Sequence, residues 1–377
     1  MTVTKLQAAK WRFAMRSPVL CAFLVFIGLT ALAPREAGAI PAWSRKEGVG
    51  CAYCHHRFNR LNQTGLDYYR RGFRTEAQPS DAKPELKADF SNYFSVLGRI
   101  DATKRDKRDY TTLTQATLYG GGEVSAHWSF LAETTVNPPD RQEVADLYLG
   151  YTLASKANKN RYLFVRGGQL LPALITLDNP WEVAADRDPA FARERRIGAA
   201  VGYNFDKFWA EVSAVTPAGA TTRNKVDVVA NGQYVFNDKG SSFGGFYWDG
   251  NVNTSATASD KFQRYGFVAN MNELAKGKCL LAAGFTAGKG DTAAGGTAKV
   301  RAFFGQGEYV FSDKFSMLLH VVRADPDTSV SGNENTIYTA SAFYWPADHV
   351  NLIGRLLAVN DGNTTDKRWT VSARFMY

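Results

Sequence analysis

From about Phe90 onward the chain repeats one unit, in which apolar side chains alternate with polar or small ones until a turn intervenes. Period-two alternation sends successive side chains to opposite faces of a strand. Segments of about ten such residues, separated by turn residues, are the signature of a β-barrel that spans a membrane. The clearest case is 145–153, where Ala145, Leu147, Leu149, Tyr151 and Leu153 oppose Asp146, Tyr148, Gly150 and Thr152. Over 123–135, Val124, Ala126, Trp128, Phe130 and Ala132 share one side, and Glu123, Ser125, His127, Ser129 and Glu133 the other. Near the end, Trp369, Val371, Ala373, Phe375 and Tyr377 oppose Arg368, Thr370, Ser372 and Arg374. Two segments fit less well. In 298–311, Gln306 and Glu308 share a side with Val300 and Phe304, which predicts a bulge or a shifted register. In 162–170, Gly167 and Gly168 interrupt the pattern.

The connections alternate as well. Short turns recur at 204–207, 236–240, 311–314 and 346–349, and longer polar loops lie near 216–225, 249–261, 288–298, 325–336 and 360–368. Short periplasmic turns and long outer loops are expected of such barrels. Continuing the count backward gives about sixteen antiparallel strands over 90–377, an even number that leaves both ends on the periplasmic side. A soluble β-sandwich would alternate too, but it would not carry aromatic residues at the ends of nearly every strand.

The N-terminus changes the picture. Lys5, Lys10, Arg12 and Arg16 precede an apolar stretch from Pro18 to Ala33, and Ala37-Gly38-Ala39 follows. That is the layout of a secretory signal with a small-residue cleavage site, so residues 1–39 are expected to be removed and the mature chain to start at Ile40. The apolar run is too short for a membrane-spanning helix. The composition suits many short strands with polar turns, being 45% hydrophobic and 13% aromatic with 33 glycines. The formal charge of +9 is unevenly spread: residues 40–110 hold 14 basic and nine acidic side chains, and residues 111–377 hold 26 of each. A basic excess confined to this segment, with no recognition motif, does not point to nucleic acid.

That basic segment contains Cys51-Ala52-Tyr53-Cys54-His55. Cys-x-x-Cys-His is the attachment pattern of a c-type haem. Thiols three residues apart on one helical turn can each add to a haem vinyl group, and the next imidazole reaches the iron. A disulfide, a redox pair and a zinc site are the competing readings of the two cysteines. A redox motif calls for a βαβ unit, which is missing from the pattern here, and zinc needs more ligands than Cys21 and Cys279 can offer. Residues 40–89 are expected to form one haem-bearing segment, with 54–71 in one or two helices that stop at Gly72. So short a segment cannot bury enough surface alone. The barrel interior is therefore expected to supply the missing wall, with the segment as a plug in or at the mouth of the lumen. The predicted fold is thus an all-β transmembrane barrel with a small α-helical monohaem plug.

No methionine lies between Ile40 and Tyr110, so a local Met ligand to the iron is excluded. His56 points away from the iron that His55 would hold. His127 and His320 alternate onto the predicted lumen face, and His127 is the candidate distal ligand; His349 lies near a short turn. Among the outer loops, 173–194 carries Asp178, Glu182, Asp186 and Asp188 with Trp181. Hard oxygen ligands suit Fe(II), so this loop is a candidate transient docking site for iron, or a pore constriction. The basic tract Lys104-Arg105-Asp106-Lys107-Arg108 sits at the first outer loop, where it is expected to contact anionic lipopolysaccharide or nothing specific rather than Fe(II), which it would repel. Cys279 alternates with Leu281, Ala283 and Phe285 and reads as a lipid-facing or packing residue.

The segment Pro41-Ala42-Trp43-Ser44-Arg45, Gly48, the Cys-x-x-Cys-His run, Leu61-Asn62, Gly65 and Arg71-Gly72-Phe73-Arg74 resembles the fused cytochrome–porin family of outer-membrane iron(II) oxidases. Beyond these residues the likeness is one of layout: signal, monohaem segment, barrel. The resemblance implies that Cys51 and Cys54 carry the thioethers of one haem c and that His55 is its proximal ligand. It also implies a one-electron oxidoreductase in the bacterial outer membrane, in which extracellular Fe(II) gives an electron to the haem and a periplasmic carrier such as a soluble cytochrome c removes it. A conduit for another donor or acceptor, and a diffusion porin with a structural haem plug, are the alternatives. In the porin reading Asp146, Glu211, Arg264 and Arg374 would set solute preference.

Overall fold

Alternation in the sequence becomes a closed sheet. The computed structural model describes residues 41–57, 60–77, 81, 89–106, 110–137, 141–172, 195–217, 225–253, 259–291, 296–347, 349–360 and 364–377. The expected signal, 1–39, and the acidic loop, 173–194, lie outside the described residues.

The N-terminal part begins with helix α1 (Pro41–Glu47) and a single helical turn over Cys51–Tyr53. A two-strand hairpin, β1 (His55–Arg57) with β2 (Arg60–Leu61), leads into helix α2 (Gln63–Arg70). Sixteen longer strands follow: β3 (Phe94–Arg105), β4 (Tyr110–Glu123), β5 (Trp128–Asn137), β6 (Arg141–Ala154), β7 (Arg161–Leu170), β8 (Arg196–Phe205), β9 (Phe208–Val215) and β10 (Asp227–Val235), then β11 (Ser242–Asn253), β12 (Ser259–Glu273), β13 (Cys279–Asp291), β14 (Thr297–Ser312), β15 (Phe315–Asp325), β16 (Asn335–Ala347), β17 (Val350–Asn360) and β18 (Thr365–Met376). Each pairs antiparallel with its neighbours in sequence, and β18 closes on β3 from Arg368↔Arg105 to Met376↔Leu97. Closure leaves no sheet edge, which is what a hydrocarbon environment requires of a sheet.

The two faces separate as the pattern predicts. Leu149 is 58% and Trp369 61% exposed on the outside, whereas Asp146, Tyr148, Thr152, Ser372 and Arg374 are buried on the lumen side. Tyr203, Phe205 and Phe208 cluster at one short turn, and Tyr309, Phe311 and Phe315 at another, forming part of an aromatic girdle at that end. Asp206 opens the two-residue turn from β8 to β9 with φ +61°, the left-handed conformation that tight hairpins need.

Three expectations are corrected. Residues 123–135 are not one strand: β4 ends at Glu123, a turn spans 124–127, and β5 starts at Trp128. In 298–311 the pairing of β13 with β14 is regular throughout, and Phe304, Gln306, Glu308 and Val310 all face the lumen; the shift with β15 comes only at Val310/Ser312. Phe304 and Ala302 of that row belong to an interior cluster with Val268, Ala282, Val322 and Ile337, not to the lipid face. Finally, 54–71 is not helical from its start, because β1 and β2 precede the eight-residue helix α2.

Candidate functional site

The N-terminal segment packs inside the short-turn end of the barrel. Helix α2 brings it there. Asn62 caps the helix, its side-chain oxygen accepting from the Gly65 N–H at 3.0 Å, while its amide nitrogen donates to the Tyr53 carbonyl at 3.0 Å. One residue therefore ties the helix start to the Cys-x-x-Cys-His turn. The Asn62 N–H adds a bond to the Cys54 carbonyl at 2.9 Å. Gly65 lies so close that a methyl group there would meet the Cys54 oxygen at 2.2 Å. Only glycine lets helix and turn approach this far.

At its other end α2 stops at Arg70, and Gly72 and Phe73 both take positive φ, +70° and +65°. This reversal swings Phe73 back into the lumen, where it stacks on Trp43 at 4.4 Å and meets the edge of Tyr69 at 5.5 Å. These rings join Leu131, Tyr148, Tyr162, Phe164 and Trp209 of the barrel wall in one buried cluster. A left-handed non-glycine residue costs about 1–2 kcal/mol, and burial of a phenylalanine contributes about 1.5–3 kcal/mol, so packing offsets the conformation.

Three arginines fix the segment to the wall. Arg70 donates to Gln233 and lies over the Trp209 ring at 5.0 Å. Arg71 donates to Asn160 at 3.0 Å and lies over Tyr162. Arg74 donates to the Ser125 and Trp128 carbonyls at 2.8 and 2.9 Å, and also to its own turn at Arg71 and Gly72. Lys46 pairs with Glu123, Trp43 Nε1 donates to the Gly121 carbonyl at 2.8 Å, and His56 Nε2 is hydrogen-bonded to the Lys239 carbonyl in the β10–β11 turn.

The Cys-x-x-Cys-His residues lie at the rim of this assembly. Tyr53 is 47% exposed, Cys54 and His55 are half-buried, and Cys54 is not in a disulfide. Burial, with Glu47 nearby, pushes the Cys54 thiol up to about 11. A methyl group built on Gly48 or Gly50, beside the helical turn, meets no atom within 4 Å. Two cysteines flanking one helical turn, an adjacent imidazole and open space alongside are a donor set that fits a covalently attached haem c. Among the described residues no three His, Cys, Asp or Glu side chains gather as a metal cluster.

The other candidates are dispersed. His127 lies on the 124–127 turn and not on a lumen strand; its Nδ1 is 2.9 Å from the Thr152 carbonyl and its ring rests on Tyr151. His320 is buried on the lumen wall against Phe304, and His349 sits in the β16–β17 turn against Phe375. Asp178, Glu182, Asp186 and Asp188 lie outside the described residues. Cys279 is half-buried at the start of β13, opposite Tyr309. Arg166, absent from the sequence reading, forms a fully buried ion pair with Glu211 at 2.9 Å. Its only sequence signal was a charge in an otherwise apolar row with Tyr162 and Phe164.

Sixteen antiparallel strands closed into a barrel, lipid-type side chains outside and polar ones within, define a porin-type outer-membrane channel fold. No protein-family model matches the chain, and no curated protein does. Solved structures do. The chain is similar to a loop-deletion mutant of OmpT, an outer membrane protein of Vibrio cholerae, at TM-score 0.57 and 13% identity over 75% of this chain and 98% of that one. It is similar to an anion-selective porin from Comamonas acidovorans, at 0.56 and 13% over 75% and 98%. The outer membrane channel DcaP of Acinetobacter baumannii gives 0.56 and 11% over 80% and 100%. These identities speak to the fold alone.

Proposed function

We propose that the chain is a bacterial outer-membrane electron conduit: a porin-type barrel whose periplasmic mouth holds a segment carrying one haem c, with extracellular Fe(II) as donor and a periplasmic cytochrome as acceptor. The observation that carries this reading is the seating of the Cys-x-x-Cys-His segment in the mouth formed by the short turns, the end that faces the periplasm in such barrels. Cys51 and Cys54 would hold the group as thioethers and His55 would be its proximal ligand. Haem c supplies a one-electron acceptor and donor. The protein's part is positional. Asn62 and Gly65 hold the Cys51–Cys54 turn on α2, the arginines hold α2 on the wall, and exposed Tyr53 leaves the rim open to a soluble carrier. One Fe(II) gives one electron and remains outside as Fe(III); the carrier takes that electron on the other side. No general acid, base or nucleophile is needed for this.

Anaerobic stopped-flow mixing of the oxidised full-length protein with Fe(II) near neutral pH tests the reading. Reduced-haem absorbance should develop rapidly, and a haem that dithionite reduces but Fe(II) leaves oxidised overturns iron as donor. Cys51→Ala should abolish covalent haem staining. The diffusion-porin reading is favoured by the likeness to outer-membrane channels. Planar-bilayer recording separates the two, since large stable conductance steps would favour free diffusion over a plugged conduit.

A further inference from the structure

Three neighbouring strands, β17, β18 and β3, carry five arginines on lumen-facing positions. Register places Arg368 beside Arg105 near the long-loop end and Arg374 beside Arg99 deeper in the lumen, with Arg355 between these levels opposite Thr370. Two carboxylates share the stripe: Asp101 accepts from Arg99 Nε at 2.8 Å, and Asp366 from Arg368 Nε at 2.8 Å. Among the described residues of these three strands, lumen-facing guanidinium groups outnumber lumen-facing carboxylates, and like charges lining a channel focus potential.

The deep end of the stripe carries a second, independent feature. Asn351 pairs across the sheet with Arg374, so Asn351, Arg374 and Arg99 form one rung. Asn351 is 0% and Arg374 2% exposed. Neither the amide nitrogen nor the amide oxygen of Asn351 is hydrogen-bonded. It faces the same side as Ile353, which packs with Leu318 and Phe343 in the lumen. A buried amide without a partner is expensive, at about 1–3 kcal/mol, and marks a place where a polar ligand or water completes the structure.

We infer that this wall is an anion track ending in a binding site at Asn351, Arg374 and Arg99, and that it takes small multivalent oxyanions of the polycarboxylate class, free or as an iron chelate. Planar guanidinium forks match carboxylate geometry, and the Asn351 amide adds one donor. The iron-bearing form rests on the conduit reading; anion binding itself does not.

Titration calorimetry of detergent-purified full-length protein with citrate at low salt tests it. Saturable binding that weakens with added salt is expected. Arg374→Gln and Arg99→Gln should each weaken it by about tenfold, the loss of one charge-assisted hydrogen bond, and Asn351→Asp should weaken it further. Half-buried Arg99 serves if the buried Arg374 variant misfolds. Lys276→Gln, on the exposed short turn between β12 and β13, several strands from β17, should leave the affinity unchanged. Tighter binding of Fe(III)–citrate than of citrate assigns the site to chelated iron, and tighter binding of citrate assigns it to the free anion. Absence of binding at low salt, or equal affinity in all three lumen variants, overturns the inference.

Discussion

Phe73→Ala isolates the seat of the N-terminal segment from the barrel that holds it. Phe73 is fully buried between Trp43 and Tyr69, and its carbonyl accepts from Lys46 Nζ at 3.2 Å. Truncating a buried phenylalanine costs about 3–5 kcal/mol through lost transfer energy and the cavity left behind. Alanine keeps the left-handed strain at this position, so no relief offsets that loss. The barrel's strand ladder is untouched, so the cost falls on docking of the segment. Each 1.4 kcal/mol is about tenfold in an equilibrium, which makes the undocked population about a hundredfold larger or more. Trypsin reads this directly at Arg70, Arg71 and Arg74, provided opening and closing outpace cleavage. Cleavage of the variant should accelerate by that factor while the barrel keeps its heat-modifiable mobility on gels. Leu149→Ala, on the lipid face, should leave segment cleavage as it was. A Phe73→Ala protein cut within about twofold of the wild-type rate would refute the idea that this ring seats the segment.

Gly65→Ala should displace the Cys51–Cys54 turn, because the new methyl would lie 2.2 Å from the Cys54 carbonyl oxygen; haem stain per unit barrel should fall by at least about half, and full occupancy would contradict the contact. In haem-free protein with Cys51 replaced by Ser, iodoacetamide should alkylate Cys54 slowly at pH 8 and faster toward pH 11, since a thiol raised to about 11 is almost wholly protonated below that; reaction at the rate of a free thiol would deny its burial. Arg166→Met should lower barrel stability by about 3–5 kcal/mol by stranding Glu211, and adding Glu211→Leu should restore most of it. Heat-modifiability midpoints measure both, and equal midpoints for the single and double variants would show that the stranded charge is not what costs stability.

Much of the barrel was legible because lipid imposes one rule on every outward position. Segment 145–153 obeys it fully, with Leu147, Leu149 and Leu153 exposed and Asp146, Tyr148 and Thr152 buried. What resisted was the lumen, where no single rule applies. Tyr162, Phe164 and Leu170 are apolar because they wall the N-terminal segment, and Phe304 because it packs across the interior. Alternation therefore weakens in 162–170 and 298–311 although both are regular strands. Alternation also ran through 124–127 unbroken, because Ala126 is buried within the turn itself. In the N-terminal segment the stop at Gly72 could be read from the glycine. The break before α2 could not, since it depends on Asn62 and Gly65 meeting the Cys54 carbonyl, a contact visible only in three dimensions.

The lumen also weighs on how solutes and electrons could cross. A diffusion pore keeps its interior side chains wet. Here lumen-facing Ser129, Phe164, Ser213, Thr286, Ser316 and Ser372, from six strands spread around the barrel, are all 2% exposed or less. Toward the long-loop end the same wall opens: Leu113 and Arg105 stand exposed or half-exposed on strands whose deeper residues, Thr117 and Leu97, are buried. Lumen-facing side chains on these strands are thus more exposed toward the long loops than toward the N-terminal segment. That gradient gives the arginine stripe a direction, from the loops toward buried Arg374.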